Sequence, residues 1–82
     1  MEEKEIGIVK DFFVNVSVAA IELSDTIKVG DKIHIKGHTT DIIQKVDSMQ
    51  INRKEIKEAS SGDSVGIKVK DRVRHGDKVY KQ

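Results

Sequence analysis

Eighty-two residues, 37% of them apolar, make one small domain in which every element must share a single core. With no cysteine, neither a disulfide framework nor a cysteine-ligated zinc site can form, and a net charge of +1 gives no argument by itself for nucleic acid. No apolar run approaches the roughly 18 to 20 residues that a membrane span needs, and the stretch after Met1 does not resemble a signal peptide, so the expectation is a soluble cytoplasmic protein without membrane contact.

Phe12, Phe13 and Tyr80 are the only aromatic residues, so the core must be built mainly from Ile and Val, whose branched side chains favour strands. Met1 to Lys4 reads as a flexible charged terminus, and residues 5–82 as a single domain. Ile6 and Ile8 alternate, which predicts a first strand over residues 5–12. Val14, Val16 and Val18 share one phase whereas Ile21 and Leu23 fall in the other, which predicts a bulge or bend near Ala19-Ala20. Ser24-Asp25 turns the chain into its most informative stretch, Thr26 to Gly37. There Val29-Gly30-Asp31 reads as a turn, because Gly tolerates positive φ and Asp can bond nearby backbone. Lys32 to Lys36 then alternates, with Ile33 and Ile35 inward and Lys32, His34 and Lys36 facing water.

Gly37 to Asp41 is a second turn. It leads into a long segment whose phase changes between Val46 and Met49, implying a second bulge near Asp47-Ser48. Asn52 to Ser60 is polar except for Ile56 and Ala59 and lacks the apolar stripe of a helix, so an irregular connection pinned by Ile56 is expected. Gly-Asp returns at Gly62-Asp63, ahead of a strand over Ser64 to Lys70, and at Gly76-Asp77, ahead of a strand over Lys78 to Lys81. Six or seven short strands with turns every ~8 to 12 residues describe a small closed β-barrel.

The chemistry-bearing residues are few. His34 and His38 are four apart, a spacing that joins ligands on a helix but not across a strand and a turn, and His75 is distant; all three read as exposed histidines, not as metal ligands. No glycine-rich phosphate loop is present, so this chain binds no nucleotide of that kind, and Ser60 and Ser61 read as turn residues. No enzyme activity, metal or cofactor is expected. Residues 66–82 carry six cations against Asp71 and Asp77, a local charge of +4 that includes Lys68 and Lys70. Ser48 to Lys54 ends a strand in amides and cations, with Gln50, Arg53 and Lys54 able to meet a base edge or a phosphate. Tyr80, between Lys78 and Lys81, reads as partial core.

Ile27 to Gly37, Gly62-Asp63-Ser64-Val65-Gly66-Ile67 and His75-Gly76-Asp77-Lys78-Val79 together resemble the second domain of the translational GTPases, notably elongation factor Tu, over residues 6–81. Gly37-His38-Thr39-Thr40-Asp41 with Ser48-Met49-Gln50 resembles small stand-alone elongation-factor-like proteins, and also the barrel appended to some collagenase-type peptidases. The resemblance implies a six-stranded Greek-key barrel. It further implies a translation-linked role at the transfer-RNA acceptor end, with Gln50 and Arg53 standing where the family carries a Glu and an Arg three residues apart. Lys54, Lys68 and Lys70 would complete that RNA-facing surface. The peptidase resemblance implies the alternative, a protein-interaction barrel serving a peptidase or modifying enzyme in trans.

Overall fold

The computed structural model describes residues 3–82. Ten strands follow one another: β1 (Lys4–Phe13), β2 (Val18–Leu23), β3 (Ile27–Lys28), β4 (Lys32–Lys36), β5 (Asp41–Lys45), β6 (Met49–Ile51), β7 (Lys54–Ile56), β8 (Glu58–Ala59), β9 (Ser64–Lys68) and β10 (Lys78–Lys81). Among the described residues there is no helix. Eight strands form one antiparallel sheet in the order β5-β4-β10-β1-β2-β9-β6-β7, and β3 pairs with β8 as a separate ribbon. The expected closed six-stranded barrel is therefore corrected to an open sheet, whose end strands β5 and β7 do not pair with each other. β5 instead reaches the chain at the end of β9 through the Gln44 side chain.

One core nevertheless takes residues from both ends of the sheet, Ile42 of β5 and Met49 of β6 among them, so the sheet must curl over on itself. Ile6, Ile21, Ile33, Ile35, Ile67 and Val79 are fully buried there, each worth ~1.5 to 3 kcal/mol of apolar transfer. Gln44 ties β5 across the opening. Its Nε2 donates to the Lys68 carbonyl and its Oε1 accepts from the Lys70 amide, both at 3.0 Å, as a peptide group of a neighbouring strand would.

The Gly-Asp turns share one construction. In each, a glycine at φ 99°, 92° or 95° occupies the third position of a type II turn, at Gly30, Gly62 and Gly76. The Asp amide donates to the carbonyl three residues back, and its carboxylate accepts from that same residue's amide: Asp31 with Lys28, Asp63 with Ser60, Asp77 with Arg74. Each turn then brackets one buried apolar residue elsewhere in the chain. Gly30 donates to the Val46 carbonyl and Val46 donates to the Asp31 carbonyl; Gly62 and Asp63 bracket Leu23 in the same way, and Gly76 and Asp77 bracket Val9.

The phase changes arise differently from expectation. β2 is regular, with Ala19, Ile21 and Leu23 all inward, because Val14 to Ser17 form the loop of the β1–β2 hairpin and are not strand. The bulges lie in β1 instead, between Glu5 and Gly7 against β10 and between Val9 and Asp11 against β2. At Asp47-Ser48 the chain leaves the sheet between β5 and β6, so no bulge is needed. Residues 52–60, expected to be irregular, contain β7 and β8, with Ile56 packed on the core.

His34 departs most clearly from expectation. It is buried, 9% exposed, between two carboxylates: Nδ1 lies 2.6 Å from Glu3, and Nε2 meets Asp41. Gln82 donates to Glu3 at 2.7 Å, so the imidazole joins both ends of the described chain to β4 and β5. Of the segment expected to be flexible, Met1 and Glu2 lie outside the described residues, while Lys4 opens β1 and ion-pairs with Asp25 at 2.6 Å.

Two consequences can be measured. A Cβ at Gly37 would overlap the Asp77 carboxylate, so Gly37→Ala should displace Asp77 from the Arg74 amide and lower unfolding free energy by roughly 1 to 3 kcal/mol. A urea midpoint equal to that of the parent would show that the turn tolerates the methyl group. Both ring nitrogens of His34 face acceptors, which favours the imidazolium: the bond to Asp41 raises its pKa above 6.5, and burial opposes the rise without cancelling it. That contribution is complete below about pH 6.5 and is lost as pH climbs through the raised folded value. Bonds from Gln82 and then His34 hold Glu3 below 4.5, so its contribution is present above about pH 4.5 and lost as pH falls through the lowered folded value. The melting-temperature difference between the parent and His34→Gln should be largest between about pH 4.5 and about pH 6.5, where both contributions are complete, and shrink as pH climbs through the raised folded value of His34. A pH-independent difference would show that the charged clasp adds nothing to stability.

Candidate functional site

The outer face of β2, β9 and β6 carries small residues at matching register. Ala20 pairs with Gly66, and Gly66 pairs with Gln50, so this face is low where the inward face, from Ala19, Ile21, Val65, Ile67 and Met49, is fully packed. A Cβ at Gly66 would approach Val18 Cγ1 to 3.1 Å, so the glycine keeps the floor clear beside Val18. The result is a trough of about 780 Å³, the size of many small-ligand sites.

Two hairpin tips flank it. At one side the end of β1 contributes Phe13 and the β1–β2 loop Asn15 and Val16; Phe13, Val14 and Val16 are 50%, 63% and 57% exposed, three large apolar residues open to solvent on a polar domain. Phe12 turns inward against the core, so the Phe pair divides as strand alternation requires. At the other side Asn52 and Arg53 form the whole loop of the β6–β7 hairpin, since Ile51 pairs with Lys54. The register sets these tips at opposite ends of the strands, because Val18 lies opposite Lys68 whereas β6 runs from Gln50 away from that end.

A two-residue hairpin loop of this kind needs positive φ at both positions, and Asn52 and Arg53 have φ 51° and 66°. Asn adopts that region readily, whereas Arg at the second position, where Gly is favoured, is strained. Of the trough's lining residues Arg53 is the only charged one, and among the described residues it forms no ion pair.

The sequence-expected site residues are thus only partly gathered. Gln50 and Arg53 share the trough. Lys68 and Lys70 line a different cleft of about 340 Å³ with Gln44, Lys45 and Asp47, and Lys54 stands on the β7 edge strand. Sequence reasoning did not bring Val18 and Ala20 to the trough; the pairing of small residues Ala20 and Gly66 across strands was the signal, but it becomes visible only with the register. His38 and His75 are exposed as expected, whereas His34 is sequestered with both nitrogens engaged. Among the described residues no group of His, Cys, Asp and Glu has a metal-holding arrangement. No helix of the described chain is long and apolar enough to cross a membrane.

The chain is 49% identical over 77 residues to an uncharacterized protease of Methanocaldococcus jannaschii, a match that takes in 93% of this chain and 19% of the protease. It is 38% identical over 72 residues to a collagenase of Porphyromonas gingivalis, covering 85% of this chain and 20% of that protein. The chain thus spans about a fifth of the length of these curated relatives. No family model matches it. Among solved structures, the C-terminal domain of a Geobacillus thermoleovorans protein described as a U32 peptidase superimposes with a TM-score of 0.90 at 17% identity, over 96% of this chain and 92% of that one. This last likeness establishes the fold. Taken together the matches correct the translation-factor expectation: the relatives are a protease and a collagenase, so the elongation-factor role and translation-linked RNA binding are withdrawn.

The strain at Arg53 has a direct test. Arg53→Gly relieves the positive-φ cost and should raise unfolding free energy by about 1 kcal/mol, seen as a higher urea midpoint at unchanged m-value. A lower midpoint would mean that the guanidinium stabilises the folded chain.

Proposed function

We propose that residues 5–82 act as one non-catalytic accessory module of a peptidase, contacting polypeptide and doing no bond cleavage themselves. The observation that carries this reading is the near-complete match of the chain to a fifth of an archaeal protease: the unit recurs within a much longer protein of that kind. The chemistry within the chain agrees with a supporting part. The one buried histidine is held between Glu3 and Asp41 and offers no free nitrogen to a substrate, and Ser60 and Ser61 serve the Gly62-Asp63 turn. Outward apolar residues beside a trough suit contact with another polypeptide.

The test is reconstitution. The 82-residue chain is mixed with a peptidase polypeptide corresponding to the other four-fifths of the archaeal relative, treated with nuclease, and run by size exclusion with light scattering. A 1:1 complex that survives nuclease, together with altered cleavage of an unfolded protein substrate, is expected. Separate elution with unchanged cleavage would sink the accessory role.

A further inference from the structure

We infer that the trough on β2, β9 and β6 is a docking site for the end of an extended polypeptide, an apolar C-terminal segment whose free α-carboxylate is held by Arg53. This inference rests on the peptidase-module reading, since a peptidase generates new chain ends of this chemistry.

Charge selects the ligand first. Arg53 is the single charged side chain among the trough's lining residues, and it projects from the turn at one side. A guanidinium presents paired donors that match the two oxygens of a carboxylate. A single lining cation can neutralise one anion; a nucleic-acid strand brings a charge with every nucleotide and would need the lysines that lie in the other cleft. The order of chemistry along the trough selects further. Beside Arg53 lie Asn52 and Gln50, whose amides can both donate to and accept from a peptide backbone. Beyond them Ala20 and Gly66 form a floor without bulk, and Phe13, Val16 and Val18 make an apolar wall. An extended chain lying from the wall to the turn would place apolar side chains on the wall, main-chain groups at the amides and its terminal carboxylate at Arg53. Backbone strain points the same way. A two-residue turn with positive φ at both positions is satisfied best by Gly at its second place, and an Arg kept there at φ 66° is a conformational outlier of the sort that marks a ligand clamp.

The experiment is a residue-resolved NMR titration of the labelled 82-residue chain with three acetylated pentapeptides of sequence Ala-Ala-Val-Leu-Phe type. One has a free C-terminal carboxylate, one a C-terminal amide, and one is amidated with an internal Asp. The free acid should shift the amides of Phe13, Val18, Asn52 and Gly66 and bind at least about tenfold more tightly than the amide at low salt, a difference that shrinks as salt rises. Arg53→Gly, which keeps the turn, should abolish the preference for the acid while leaving the Phe13 and Val18 shifts. Equal binding of acid and amide, or an unchanged preference in Arg53→Gly, overturns the inference. Equal binding of the internal-Asp peptide and the free acid overturns its commitment to a chain end. If no peptide binds while the complex with the peptidase polypeptide still forms, the chain-end site falls and the accessory module stands. Acid-selective peptide binding without that complex has the opposite meaning: the chain-end site stands and the accessory module falls.

Discussion

Each Gly-Asp turn fastens two distant pieces of chain at once, and the rest of the structure depends on that fastening. Within the turn, amide and carboxylate of the Asp both return to the residue three positions earlier; outside it, the Gly amide and Asp carbonyl grip the backbone of Val9, Leu23 or Val46. Those three residues are buried, so their polar backbone groups would otherwise be stranded away from water, at a cost of about 1 to 3 kcal/mol per group. A domain of this size has no surplus core to absorb such losses. The turns thus decide where β1, β2 and the end of β5 can lie, and the Ile and Val side chains fill the space so defined.

Much of this was legible in the chain. The three Gly-Asp pairs, the inward Ile33 and Ile35 and the strand Lys78 to Lys81 follow from local rules of turn chemistry and alternation. What lies opposite each turn did not follow, because Val9, Leu23 and Val46 are chosen by long-range register. The same limit explains His34. Alternation places it on the outer face, where it does stand, but Tyr80 and Ile43 flank it on the neighbouring strands and Glu3 and Asp41 engage both ring nitrogens. Period-two reasoning also cannot distinguish a bulged strand from a hairpin loop, which is why the irregularities near Ala19 and Ser48 were misplaced.

The site was half legible. Gln50 and Arg53 were singled out for their polar chemistry and do fall together, but the apolar wall and the glycine floor that give them a context come from β2 and β9. The functional expectation attached to them came from a fold shared by proteins with different work, and a fold alone fixes no ligand. Sequence relatives, not architecture, separated the two readings. The strain at Arg53 was invisible beforehand, since a turn sequence of Asn followed by Arg does not announce positive φ at both positions.

Gln44 carries a consequence for behaviour at high concentration. An open sheet leaves main-chain donors and acceptors exposed along its margins, and such rows can recruit a strand from another molecule and seed fibrous assemblies. By binding the Lys68 carbonyl and the Lys70 amide, the Gln44 side chain occupies a donor and an acceptor where the chain of β9 runs on past its pairing with β6, in a cleft where Lys45, Lys68 and Lys70 outnumber Asp47. One amide thereby helps keep an unclosed sheet from growing into its neighbours.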